Sequence, residues 1–176
     1  LTLALVRSYR LENRMPAFPA NSTLRTAAWL TLGVSLLQVV FGTQVREAID
    51  LVANQIGEAG RGTWISHLGN EYYLHRSFSW LVLGLHGWLL YLLWFRSKGF
   101  GLAITFCYAL GLLVSIEFLS GVAMAWGGIP AFLQPVHLVL ANLLVGVQFG
   151  LLLCLHPGWM GRSVPNFIEK NVHDKY

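Results

Sequence analysis

Two histidines stand at matching places in this chain of 176 residues, each near the start of a long apolar segment. His75 lies between "NEYYL" and "RSFSWLVLGL", and His137 lies between "GGIPAFLQPV" and "LVLANLLVGV". Two neutral imidazoles at one depth, on two helices, are the axial ligands that a six-coordinate b-type haem iron needs. Arg76 adjoins His75 and would pair with a haem propionate. Either histidine alone would more simply be an interfacial polar residue, so the haem hypothesis rests on the pair.

The apolar segments predict an all-α integral membrane protein, built as a bundle of four transmembrane helices. The chain is 55% hydrophobic and 11% charged, and this charged share is about half that of an ordinary soluble domain. A spanning helix needs roughly 20 apolar residues. Four segments reach that length: 26–45, 75–95, 99–126 and 131–156. A soluble helical core is the alternative, but its helices would show polar faces, and these segments are apolar nearly all round.

The distribution of positive charges predicts the orientation. Nine of the twelve Lys and Arg residues lie before the first segment, between the second and third, or after the fourth. By the positive-inside rule these regions face the cytoplasm of a cell (plasma) membrane, and the loop between the first two segments faces outward. The formal net charge of +4 then reflects topology and contact with the lipid bilayer. No basic cluster interleaved with aromatic residues indicates nucleic acid.

The chain divides into three predicted parts: the end of a preceding helix with a cytoplasmic linker (1–25), a four-helix haem-binding membrane domain (26–156) and a cytoplasmic tail (157–176). Because the sequence shows neither an initiator methionine nor a signal-peptide pattern, we expect a fragment from the back part of a longer membrane protein. The stretch "IDLVANQIG" after the first segment has spaced hydrophobes, which predict a separate short surface helix. Cys107 and Cys154 lie within apolar segments, which indicates packing rather than a disulfide or a zinc site.

An internal repeat relates the first and third segments. "LQVVFGTQV" (37–45) and "IEFLSGVAM" (116–124) align so that Gln38 matches Glu117 and Gly42 matches Gly121. Each segment precedes one that carries a histidine near its start, so the repeat predicts a helical hairpin used twice about a pseudo-two-fold axis. Glycines on such helices allow close approach to a neighbour in lipid. Chance similarity between two apolar helices is the alternative.

Three further polar side chains lie inside the apolar segments, where each needs a partner: Glu117, His86 and Gln148. Glu117 is either a proton acceptor or supporting partner of the haem site, or a protonated acid bonded to a neighbouring helix. His86 lies eleven residues after His75, on nearly the same helical face, and Gln148 lies eleven residues after His137. We predict that His86 bonds to a polar group on a neighbouring helix, with Gln148 the leading candidate, and that His86 binds no metal.

The chain resembles a known family. "LQVVFGTQVREAID", the "HR" that opens the second segment, "IEFLSG" and the "PVH" that opens the last are similar to the C-terminal four-helix half of haem A synthase. That membrane enzyme oxidises a methyl group of haem O to the formyl group of haem A, a step in cytochrome oxidase assembly. The resemblance covers residues 1–157 and implies two pseudo-symmetric four-helix halves in the complete protein. It carries His75 and His137 onto the haem-ligand positions.

The resemblance also has departures. The family's N-terminal half has a glutamate three residues before its histidine, whereas Glu71 stands four before His75, so no catalytic residue is assigned here. The chain resembles the haem b half, which implies electron transfer by an oxidoreductase fragment that is inactive alone. Haem O would be the substrate of the complete enzyme. Implied partners are the N-terminal half or a second copy, haem O synthase and quinone. A non-enzymatic membrane cytochrome b and a haem-free scaffold are the alternatives.

Overall fold

The computed structural model describes residues 21–96 and 101–156, and throughout these ranges the chain is helical, without a strand. All four α-helices are long and apolar enough to cross a membrane, which confirms the predicted four-helix membrane fold. The expected preceding helix end and cytoplasmic tail lie outside the described residues. The elements in chain order are α1 (Ser22–Ile56), a 3-10 helix (Glu58–His67), α2 (Asn70–Arg96), α3 (Gly101–Trp126) and α4 (Leu133–Leu155).

Helix α1 has a defined signal at each end. The Asn21 side chain accepts a hydrogen bond from the Leu24 N–H at 2.8 Å, which satisfies one of the free donors of the first turn. At the other end Gly57 adopts φ 69°, and its N–H bonds to the Ala53 carbonyl. Glycine accepts this left-handed conformation without steric cost and so ends the helix.

The prediction of a separate surface helix after residue 45 was wrong, because α1 continues unbroken through that stretch to Ile56. Ile49 and Val52 are buried against Trp64 of the 3-10 helix, and this packing favours continuation of the helix. At about 1.5 Å per residue, the 35 residues of α1 span about 52 Å, well beyond the ~30 Å hydrocarbon core. The last turns of α1 therefore project out of the membrane at one end of the bundle.

The four helices form a closed ring. Each helix packs on its neighbours in the chain, and α4 also packs on α1. Consequently α2 and α4 lie diagonally opposite each other, as do α1 and α3. The interior is a leucine-rich core drawn from all four helices, whereas Trp80, Tyr108 and Leu112 are each more than 60% exposed on the outside. An apolar outside on an apolar core is suited to lipid.

A small second cluster covers the end of the bundle at which α1 projects. We call it the cap, formed by Ile49, Val52, Trp64, Leu68 and Ile129. Arg61 fastens it: its Nη1 donates to the Ile129 carbonyl at 2.6 Å, and its guanidinium lies 4.3 Å from the Trp64 ring centroid. The cap thus joins the connection after α1 to the connection between α3 and α4.

Candidate functional site

His75 and His137 lie at the capped end of the bundle, in the first two turns of α2 and of α4. Because α2 and α4 are diagonal in the ring, the two side chains approach the bundle from opposite sides. Both imidazoles are partly buried. The structure thus brings the two predicted ligands to one end of one bundle.

A glycine of the preceding helix lies against each histidine. A Cβ atom placed on Gly42 of α1 would come within 3.3 Å of His75 Cε1, and one placed on Gly121 of α3 within 3.4 Å of His137 Cε1. These two glycines are the pair that the sequence repeat aligns. The repeat therefore corresponds to the same helix–histidine contact in both hairpins, and the absence of a side chain at each glycine sets how closely the ring can approach.

The ring of His137 is oriented by two groups on α3. Its Nδ1 lies 2.7 Å from Ser120 Oγ and 3.2 Å from Glu117 Oε1. The Ser120 hydroxyl donates its own proton to the backbone carbonyl of Glu117 at 2.8 Å. Ser120 Oγ therefore accepts from His137 Nδ1–H. A proton on Nδ1 leaves the Nε2 lone pair of His137 available to a metal, the usual arrangement for a metal-binding histidine. Glu117 thus contacts a predicted haem ligand on the neighbouring helix, and its role in a haem site stays a prediction.

The surroundings of His75 differ in one respect. Gln38 of α1, the repeat counterpart of Glu117, donates from Nε2 to the His75 backbone carbonyl at 3.2 Å. Within the described residues, His75 Nδ1 and Gln38 Oε1 are both buried and neither has a hydrogen-bond partner. His75 is therefore held by its backbone, while the ring edge nearest α1 is left without a bond.

The donor set fits a haem better than a bare metal ion. In the part of the chain that the structure describes, no three His, Cys, Asp or Glu residues are grouped closely enough to hold an ion. A bare ion such as zinc takes three or four protein ligands. A porphyrin brings four nitrogens of its own and needs only two axial ligands, which His75 and His137 would supply.

Two charged residues, Glu71 and Arg76, are neighbours of His75 on α2. Glu71 accepts a hydrogen bond from the Gly69 N–H at 2.8 Å through Oε1, a contact that closes the start of α2. Arg76 is exposed at the same end of the bundle. Its pairing with a propionate stays a prediction.

A second polar layer lies deeper in the bundle. His86 is fully buried, its Nδ1 bonds to the Val82 carbonyl at 2.8 Å, and its Nε2 accepts from Gln148 Nε2 at 2.7 Å. The predicted bond between His86 and Gln148 is therefore confirmed. Both ring nitrogens of His86 are therefore occupied by hydrogen bonds, Nδ1 as donor and Nε2 as acceptor.

Two serines that bond to these polar residues were not predicted from the sequence. Ser35 accepts a second hydrogen bond from Gln148 Nε2 at 2.9 Å, and Ser120 bonds to the ring of His137. Their signal was their spacing: Ser35 precedes Gly42 by two helical turns on the same face, and Ser120 adjoins Gly121. A serine in an apolar helix more often bonds to its own backbone, which hid the signal.

Replacing His86 by glutamine should leave the haem content of the protein unchanged and lower its stability only modestly. A glutamine can still pair with Gln148, whereas leucine would leave the buried Gln148 amide short of an acceptor. Such bonds between membrane helices contribute about 0.6 to 2 kcal/mol. Haem-to-protein ratio and denaturant unfolding in detergent measure the two effects, with the exposed His67→Gln as the matched control. Loss of half the haem from His86→Gln would contradict this role.

Comparison with protein-family models identifies the family of this chain. The model named COX15-CtaA, described as a cytochrome oxidase assembly protein, matches residues 1–149. The matched range includes both histidines, both glycines and the polar residues that contact them. Comparisons with curated proteins and with solved structures found no match.

Proposed function

Because this chain belongs to the COX15-CtaA family of cytochrome oxidase assembly proteins, the haem A synthase family, we propose that it is the haem b half of a haem A synthase. In this role His75 and His137 bind the iron of one b haem within the membrane. The observation that carries the proposal is the equivalence of the two hairpins, each with a histidine seated on a glycine of the preceding helix.

Each residue of the site has a distinct task in this proposal. The Nε2 atoms of His75 and His137 would hold the iron, and Ser120 with Glu117 would keep His137 in the tautomer that leaves Nε2 free. Gly42 and Gly121 have no side chain and so leave room for the two rings. Arg76 pairs with a propionate. The bound haem would supply one-electron redox chemistry. The apolar core excludes water from the deeper side of the site.

Oxidation of the haem O methyl group is assigned to the complete enzyme rather than to this chain alone. Within the described residues, the carboxylates near the ligands are Glu71, engaged by Gly69, and Glu117, engaged by His137. Glu117 is committed to His137 through Oε1, and its Oε2 is buried without a hydrogen-bond partner among the described residues. We therefore propose that this chain passes electrons to or from a partner half, either the N-terminal half of the same protein or a second copy. Quinone as electron acceptor and haem O synthase as source of substrate are the further partners.

An optical spectrum with pigment extraction tests the proposal. The purified protein should show a six-coordinate low-spin haem, and the extract should contain haem B together with haem O or haem A. Haem B alone would favour the second candidate, a non-enzymatic membrane cytochrome b, which the same ligand pair also supports. A protein that binds no haem would contradict both and leave a haem-free scaffold.

We propose that the chain crosses the plasma membrane with its termini in the cytoplasm and the cap outside. A cysteine at Gly62 should then react with an impermeant thiol reagent on intact cells, and one at Thr23 should react only after lysis. Both positions are exposed: Thr23 lies at the start of α1, and Gly62 lies in the 3-10 helix beyond the other end of α1. A Cβ at Gly62 meets no atom within 4 Å. Cys107 and Cys154 are changed to alanine in both variants. The reverse labelling pattern would contradict the orientation.

A further inference from the structure

The ring of His75 and the amide of Gln38 leave two complementary atoms unpaired. Four buried side-chain atoms lack a hydrogen-bond partner within the described residues, and two of them, His75 Nδ1 and Gln38 Oε1, belong to residues already in contact. An amide oxygen can only accept. A histidine that binds a metal through Nε2 carries its proton on Nδ1, which can then only donate. The two atoms thus have opposite needs.

The orientation of the Gln38 amide is fixed by its other end. Gln38 Nε2 donates to the His75 carbonyl at 3.2 Å, and turning the amide over would set its oxygen against that carbonyl oxygen. Oε1 therefore remains the only group of Gln38 free to meet a donor. The Nδ1–Cε1 edge of His75 faces the same strip of α1, because Gly42, one helical turn after Gln38, lies against it.

The other hairpin contains the corresponding bond. Glu117 aligns with Gln38, stands one turn before Gly121, and has its Oε1 3.2 Å from His137 Nδ1. Glu117 Oε1 thus contacts Nδ1 of His137, whereas Gln38 Oε1 makes no such contact with Nδ1 of His75. A hydrogen bond from His75 Nδ1 to Gln38 Oε1 would make the two hairpins equivalent.

We propose that Gln38 is the positioning residue of His75: its Oε1 accepts a hydrogen bond from His75 Nδ1–H and so directs the Nε2 lone pair into the bundle. This inference rests on the proposed haem site. It gives the two axial ligands different supports, a neutral amide behind His75 and a carboxyl group with a serine behind His137. The sequence repeat conserves the position of the support and changes its chemistry.

Three variants of the full chain test the proposal. Gln38→Leu removes the acceptor, Gln38→Glu installs the residue of the other hairpin, and Gln44→Leu is the control, since Gln44 is an exposed glutamine on the same helix. Titration of the haem-free protein with haemin should show about 10- to 100-fold weaker binding for Gln38→Leu, the usual cost of losing a partner of a metal ligand. Gln38→Glu should restore binding, and Gln44→Leu should leave it unchanged.

Electron paramagnetic resonance and redox titration separate positioning from a purely structural role. Gln38→Glu should shift the low-spin g values and the midpoint potential, because a carboxyl oxygen replaces an amide oxygen behind the ligand. If Gln38→Leu fails to fold, this shift decides the matter, and unchanged values in Gln38→Glu would overturn the proposal. Unchanged haemin affinity in a folded Gln38→Leu would also overturn it while leaving the proposed function intact. A wild-type protein without low-spin haem would instead overturn the proposed function.

Discussion

Replacing either His75 or His137 by alanine is expected to abolish the six-coordinate low-spin haem spectrum of the protein. The two side chains come from diagonal helices, and of the other histidines in the described residues, His67 is exposed on the 3-10 helix and His156 follows the far end of α4. His86 cannot substitute, because both of its ring nitrogens are bonded within the deeper layer. Optical and electron paramagnetic resonance spectra of the purified variants, with haem content per protein, measure the effect.

Two controls separate ligand loss from misfolding. His156→Leu, at the opposite end of α4 from His137, should keep the low-spin spectrum. Added imidazole should restore a low-spin spectrum to His75→Ala or His137→Ala, because a small molecule can enter the space that the missing ring leaves. Retention of the original spectrum in both alanine variants, without imidazole, would refute the axial assignment.

Valine at Gly42 or at Gly121 is expected to cause the second-largest loss of haem binding. A Cβ at these positions would lie 3.3 and 3.4 Å from the Cε1 atoms of His75 and His137, and valine adds two further methyl groups. The rings or the helices would have to move. Overpacking of this kind costs about 1 to 3 kcal/mol, which corresponds to roughly 5- to 150-fold in the haem dissociation constant. Titration of the haem-free variants with haemin gives that constant.

Matched glycines on the same helices provide the controls. A Cβ at Gly33 of α1 meets no atom within 4 Å, and one at Gly111 of α3 meets only Leu90 at an ordinary 3.7 Å. Gly33→Val and Gly111→Val should therefore bind haemin as the wild type does. Equal weakening by all four valine substitutions would indicate a general effect on the helices and would argue against a specific space beside the histidines.

Much of this fold follows from the sequence because the bilayer restricts the solutions. Apolar segments of spanning length must be helices, and the starts of the second and fourth segments fixed the level of His75 and His137. Helical periodicity also paired His86 with Gln148, since a buried polar group in lipid needs a partner on a neighbouring helix. These predictions depend on local pattern and depth, and both are readable along the chain.

Other parts depended on tertiary packing and were not readable. The continuation of α1 to Ile56 is decided by Trp64, which buries Ile49 and Val52 from a later part of the chain. The Arg61 bond to the Ile129 carbonyl joins two connections 68 residues apart, and its acceptor is a backbone atom that no residue type reveals. The bond of Ser120 to His137 needed the rotation of α3 relative to α4, which apolar patterns nearly uniform around the helix leave undetermined.

The packing of α4 on α1 sets an order of events during synthesis of the protein. Ser35 meets Gln148 across 113 residues, and Arg25 reaches the Leu155 carbonyl across 130. Until α4 leaves the insertion machinery, α1 lacks these partners and His75 faces no second ligand. In the proposed function, haem capture would follow membrane insertion of the last helix, because a chain whose translation stops before α4 holds only one of the two proposed ligands.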